Sequence, residues 1–100
     1  MKSGYKIYWT DHALGELKET FTYLEKNWTE KELKNLSSEI ERTLILISEN
    51  PSLFPISSKK NIRKAVIKKL NTIYYRVKSN ENIEIISFFS NRKNPNKRKA

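Results

Sequence analysis

The spacing of apolar residues along this chain changes several times, and each change marks an element. Tyr5–Trp9 is short and mostly β-branched or aromatic, which predicts a strand. Leu14, Leu17, Phe21 and Leu24 then recur at three- and four-residue spacing, the stripe of one helical face. Thr10 suits the N-cap of that helix, and Asp11 favours its positive end. Asn27-Trp28 interrupts the pattern. Thr29 with Glu32 three positions later predicts a capping box, so a second helix starts there with Leu33, Leu36, Ile40, Leu44 and Ile47 on its apolar face. Asn50-Pro51 ends it, because a residue before proline avoids helical geometry. So short a connection between two helices predicts an antiparallel hairpin.

A loop with Pro51 and Pro55 follows, with Phe54 expected as an apolar plug within it. Three strands are then predicted, at about residues 62–67, 72–78 and 83–90. Lys68-Lys69-Leu70-Asn71 forms a basic turn and Ser79-Asn80-Glu81-Asn82 a hairpin connection. In the middle strand Ile73, Tyr75 and Val77 are expected to be buried, with Tyr74, Arg76 and Lys78 on a wetter, basic face. The last strand is apolar on both faces apart from Glu84 and Ser87, which places it centrally in the sheet. The order is β-α-α-β-β-β. The expected fold is α+β, with a helical hairpin packed on one face of a twisted, mainly antiparallel sheet.

Charge divides along the same boundary. Residues 1–58 carry seven Lys/Arg and nine Asp/Glu, whereas residues 59–100 carry thirteen Lys/Arg against only Glu81 and Glu84. A near-neutral helical half therefore adjoins a strand-rich half of net charge +11. A basic surface of this kind suits nucleic acid or a strongly acidic protein, and it also serves solubility. One hundred residues form a single domain, 1–100, whose basic segment 91–100 is expected to be partly disordered when alone. Without cysteine there is no disulfide framework, thiolate metal site or thiol nucleophile. No apolar run resembles a signal-peptide core or a membrane span, so a cytoplasmic location is expected.

Candidate chemistry is sparse. His12 is the only histidine and has no second ligand at helical spacing, so it reads as an exposed helix residue. Gly4 and Gly15 are the only glycines, too few for a phosphate-cradling loop. Glu16, Glu19, Glu25, Glu39 and Glu41 read as solvent-side helix charges. No metal or cofactor is expected. What remains is a set of cations interleaved with tyrosine: Arg63, Lys64, Lys68, Lys69, Tyr74, Arg76, Lys78, Arg92 and Lys93. Arginine binds phosphate bidentately and tyrosine stacks on bases, while an ordinary strand surface has the same composition.

In order along the chain, Ile7-Tyr8-Trp9-Thr10-Asp11-His12-Ala13, then Leu17, Phe21, Tyr23-Leu24, Trp28, Asn50-Pro51, Arg63, Ile73-Tyr74-Tyr75-Arg76-Val77, Ile83-Glu84-Ile85-Ile86 and Asn91-Arg92-Lys93-Asn94-Pro95 form a series. This series resembles the ParE-type toxins of the RelE/ParE superfamily of type II toxin–antitoxin systems, over about residues 5–96. RelE-like members of that superfamily cut mRNA on the ribosome, while characterised ParE-like members poison DNA gyrase. Laid on the RelE-like ribonuclease set, Arg63 takes the first basic position and Arg92 the late arginine. Ala65 and Thr72 stand where two further cations belong, and the tail has no tyrosine, with Arg98 near its place.

Two positions of five are kept, so the resemblance implies a toxin that acts by binding rather than catalysis. Its implied target is DNA gyrase or another topoisomerase, and its implied partner is a small acidic antitoxin. Plasmid stabilisation is the associated biology. Arg63, Lys64, Lys68, Lys69, Tyr74, Arg76, Arg92 and Lys93 are the expected contacts to target or antitoxin. The alternatives are a metal-independent mRNA interferase acting on the ribosome through Arg63 and Arg92, and an inactive member that only binds.

Overall fold

A computed structural model of the chain describes residues 4–57, 60–68, 71–79 and 81–90. The elements are β1 (Lys6–Trp9), α1 (Asp11–Glu25), α2 (Glu30–Glu49), β2 (Arg63–Ile67), β3 (Asn71–Ser79) and β4 (Asn82–Ser90). They form one four-stranded sheet in the order β1-β4-β3-β2. β4 is central, as its two apolar faces require. It runs parallel to β1 and antiparallel to β3, which is antiparallel to β2. The fold is α+β, with both helices on one side of a mixed sheet.

Capping residues set the helix ends. The Thr10 Oγ1 accepts the Ala13 N–H at 3.1 Å and donates to the Ile85 carbonyl at 3.0 Å, so one hydroxyl both caps α1 and ties it to β4. At α2 the Thr29 side chain accepts the Glu32 N–H at 3.2 Å, and the Glu32 carboxylate accepts the Thr29 N–H at 3.1 Å. This is the reciprocal box that the Thr29/Glu32 spacing predicts. α2 ends at Asn50, before Pro51. Gly4 lies against the far end of α2. A β-carbon there would sit 2.6 Å from the Ser48 carbonyl oxygen, so the approach needs glycine.

The core lies between sheet and helices. Leu24, Leu36, Ile40 and Ile47 meet Ala65, Ile73, Tyr75, Ile83, Ile85 and Phe88, all buried. Phe54 plugs the loop after α2, its ring edge-on to Tyr75 with centroids 6.4 Å apart. Asn71 and Ser90, opposite each other in the β3–β4 ladder, are also buried, and Asn71 Nδ2 donates to the Ile67 carbonyl at 3.3 Å.

Three burial expectations fail. Leu14 is 43% exposed, while Ala13 and Thr20 are buried. α1 packs mainly on β4, which turns its buried face by about one residue and leaves Leu14 towards α2. The Thr20 hydroxyl meets its bonding need inside α1, donating to the Glu16 carbonyl at 2.9 Å. Val77 is 43% exposed, because it stands at the irregular end of the β3–β4 ladder, where no helix covers it. Glu16 does not face solvent. Its carboxylate crosses to β4, accepting the Ser87 hydroxyl at 2.7 Å and the Phe88 N–H at 2.9 Å. Of the other four glutamates, Glu19, Glu25 and Glu41 are exposed and Glu39 is half-buried.

Candidate interaction surface

Strand alternation and ladder register define the sheet face opposite the helices. Lys64 pairs with Tyr74, Val66 with Thr72, Arg76 with Glu84, and Glu84 with Tyr8. These residues form rows that run across the strands on the uncovered face. Tyr8 and Val66 are more than half exposed, and Lys64 and Lys78 are exposed as well. The face is thus cationic and aromatic, with no helical layer over it among the described residues. Arg76 Nε meets Glu84 Oε1 at 3.0 Å, which fixes the guanidinium across the β3–β4 ladder.

Of the sequence-predicted contacts, Lys64, Tyr74 and Arg76 are brought together on this face. Arg63 is not. It precedes Lys64 by one residue, so it points to the helix side, where its guanidinium donates to the Phe54 carbonyl at 2.6 Å and the Ser52 carbonyl at 3.4 Å. Tyr75 beside it donates its hydroxyl to the Pro51 carbonyl at 2.7 Å. Burial pushes the Tyr75 phenol above its ordinary value of 10.0. The Arg63 charge and a backbone hydrogen bond with Phe54 oppose that rise. Arg63 and Tyr75 together clamp the 51–54 loop to the sheet. Lys68 is exposed in the turn after β2, with φ of 51°. Lys69, Arg92 and Lys93 lie outside the described residues. His12 is largely exposed, with Nε2 at 3.3 Å from Glu16 Oε1.

Reading the strands singly missed Lys60 and Asn61. They precede β2, yet with Arg76, Val77 and Lys78 they line a polar pocket of about 320 Å³ at the end of the open face. The signal available in the sequence was Lys60-Asn61 directly before a strand, where asparagine favours a turn. On the opposite side, Trp9, Leu14, Leu17, Phe21, Ile40 and Leu44 line an apolar groove of about 280 Å³ between α1, α2 and β1. Its opening explains why Leu14 remains exposed. No described helix is long and apolar enough to cross a membrane.

The geometry agrees with that of a solved structure. One chain of the chromosomal ParDE TA system from P. aeruginosa superposes with a TM-score of 0.71 at 15% identity, covering 86% of this chain and 95% of that one. At that identity the likeness speaks for the fold. No curated protein matches in sequence. The family model described as the ParE toxin of type II toxin-antitoxin system, parDE, matches residues 7–95, which spans every element from the second residue of β1 to the end of β4. On that match over most of its length, the chain belongs to the ParE toxin family of type II toxin–antitoxin systems.

Proposed function

We propose that this chain arrests growth by binding DNA gyrase or a related topoisomerase in the cytoplasm, and that a small acidic antitoxin neutralises it. The observation that carries this reading is the family match over residues 7–95. The open cationic face of the sheet supports it. A binding toxin needs an accessible surface of defined charge, and Lys64, Tyr74 and Arg76 supply one. Lys68, Lys69, Arg92 and Lys93 extend the basic set along the sequence. In this reading Arg63 acts by holding the 51–54 loop, since its guanidinium is already engaged with two carbonyls.

An acidic, partly disordered antitoxin segment that orders on the basic half would supply the complementary charge. Its association with the toxin slows as salt rises, because screening shortens the reach of the field to about 10 Å at 0.1 M. The test of the target is pulse-labelling of DNA, RNA and protein synthesis in bacteria just after the chain is induced alone. DNA synthesis falling first is the expected result. Protein synthesis falling first would make the chain an mRNA interferase, and three unaffected rates at confirmed expression would remove the toxic activity from the proposal.

A further inference from the structure

We infer that this chain pairs with a second copy of itself through the outer edge of β1, as two antiparallel strands related by a two-fold axis at Tyr8. The inference does not depend on what the toxin arrests.

β1 is an edge strand, since the sheet runs β1-β4-β3-β2. Its bonds to β4 show which backbone groups it has left over. The Lys6 N–H donates to the Glu81 carbonyl, and the Thr10 N–H to the Ile85 carbonyl. Backbone groups of alternate residues in a strand point to the same side, so Lys6 and Tyr8 face β4. Tyr5, Ile7 and Trp9 turn theirs outwards. Tyr5 is held by α2: its N–H donates to the Ser48 carbonyl at 2.9 Å, and its carbonyl accepts the Ser48 hydroxyl at 2.8 Å. The N–H and C=O of Ile7 and of Trp9 have no hydrogen-bond partner among the described residues. Four such groups on an open edge are a template for another strand.

A two-fold axis at Tyr8 uses all four. Antiparallel pairing about it sets Ile7 opposite Trp9 of the second copy, Tyr8 opposite Tyr8, and Lys6 opposite Thr10. Each Ile7–Trp9 pair exchanges N–H···O=C bonds in both directions, and the two Tyr8 residues form the close, non-hydrogen-bonded pair between them. An axis at Ile7 would instead call on Tyr5, which α2 already holds. The side chains suit the register centred on Tyr8. Tyr8, 54% exposed, meets an identical ring on the open face. On the helix side β-branched Ile7 meets the indole of Trp9, and no like charges stand opposite each other.

Charge selects a second copy over an acidic peptide as the occupant. A groove of about 460 Å³ runs beside this edge, lined by Tyr5, Ile7, Leu44 and Ile45, and its charged lining residues are Glu41 and Glu49. An acidic segment is repelled there and drawn to the basic residues of β2 and β3, on the far side of the sheet. A second copy brings its own near-neutral half, residues 1–58, to the contact. The two basic halves then lie at opposite ends of one continuous sheet. Leu14 and Ile45, 43% and 54% exposed, flank the same edge beside Trp9 and Ile7 and enlarge the apolar contact.

The purified full chain is followed by sedimentation equilibrium over a range of concentrations. The apparent mass rises from that of the monomer towards twice that value. Rising salt shifts the equilibrium towards the dimer, because each copy carries a net charge of +9 and screening weakens their repulsion. Amide exchange supplies the residue detail. The Ile7 and Trp9 amides slow as concentration rises, while those of Lys6 and Tyr8, already bonded to β4, keep their rates.

Tyr8→Lys sets two cations in the close pair at the axis. Its Tm stays that of the wild-type monomer, since the side chain is exposed, and its dimer affinity falls at least about tenfold. Tyr8→Glu has the same effect. Mixed in equal amounts, the two variants associate again, more tightly than either does alone, because the axis then joins a cation to an anion. A chain that stays monomeric at every concentration and salt overturns the inference. So does a dimer that both Tyr8 variants leave unchanged, or one in which the Ile7 and Trp9 amides exchange as fast as in the monomer. If a variant fails to fold, the wild-type exchange rates decide alone. These measurements involve neither target nor antitoxin, so their failure leaves the pulse-labelling result standing, and the reverse also holds.

Discussion

Glu16 on α1 accepts the Phe88 backbone N–H of β4 at 2.9 Å. β1 pairs with β4 only as far as Ile85, and Thr10 takes up the Ile85 carbonyl. Beyond that point the β4 edge has lost its neighbour. The Glu16 carboxylate takes the place of a strand there, capping Phe88 and the Ser87 hydroxyl together. The helix is thereby attached to the sheet by a charged hydrogen-bond acceptor as well as by apolar contact.

Glu16→Ala leaves a backbone N–H and a hydroxyl without an acceptor beside a partly buried surface. A loss of about 1.5–3 kcal/mol is expected by urea denaturation, with faster amide exchange at Phe88. Glu16→Gln keeps one acceptor oxygen and loses less, about 1 kcal/mol. His12→Ala stays within about 0.5 kcal/mol of wild type, since the imidazole is exposed. A Glu16→Gln variant as stable as wild type would show that the carboxylate charge contributes nothing, and equal losses for the two variants would show that a neutral acceptor cannot replace it.

Thr10 and Thr29 are both N-caps, but only Thr10 also binds the sheet. Thr29→Ala is expected to cost about 1 kcal/mol, the usual loss of an exposed cap. Thr10→Ala loses the cap and the bond to Ile85, and its cost should exceed that of Thr29→Ala by a further ~0.5–1.5 kcal/mol. Denaturation midpoints of the two variants at one pH make the comparison. Equal costs would mean that the Thr10–Ile85 bond adds nothing to the cap.

Tyr75 supplies a pH prediction. The folded chain holds its phenol above the ordinary value of 10.0, mainly because the ring is buried. Below pH 10.0 the phenol is protonated whether the chain is folded or unfolded, and the contribution to stability is complete. Above that the unfolded chain releases its proton first and holds fewer protons than the folded one. Stability therefore falls as pH climbs through the raised pKa. Tyr75→Phe removes this part of the alkaline slope. At neutral pH it costs about 0.5–1.5 kcal/mol through loss of the bond to Pro51. Stability curves of both proteins from pH 7 into the alkaline range test the sign.

Arg63→Ala should act through the fold. It releases the carbonyls of Phe54 and Ser52, and a loss of about 1.5–3 kcal/mol is expected, with faster proteolysis within the 51–57 loop. The Tyr75 phenol should titrate still higher, since the Arg63 charge holds it down. A variant as stable as wild type but without growth arrest would assign Arg63 to partner contact instead.

Local chemistry determined much of this protein before any tertiary contact. The Thr29/Glu32 box, the Thr10 cap and the Asn50-Pro51 stop act between neighbours in sequence, so the helices begin and end where those residues stand. Alternation in β3 likewise separated Tyr74 and Arg76 from Ile73 and Tyr75, so the basic, aromatic face was legible from the sequence. The ordered series of motifs also carried the family. Tertiary structure decided what depends on register and on reach. Which face of α1 is buried depends on its seat against β4, so Ala13 rather than Leu14 enters the core. Arg63 and Lys64 differ by one residue, yet strand alternation sends one to the loop carbonyls and the other to the open face. Glu16 and Phe88 stand 72 positions apart in sequence. A long side chain finds such a partner only after the sheet has assembled, and no periodicity in the chain encodes that contact.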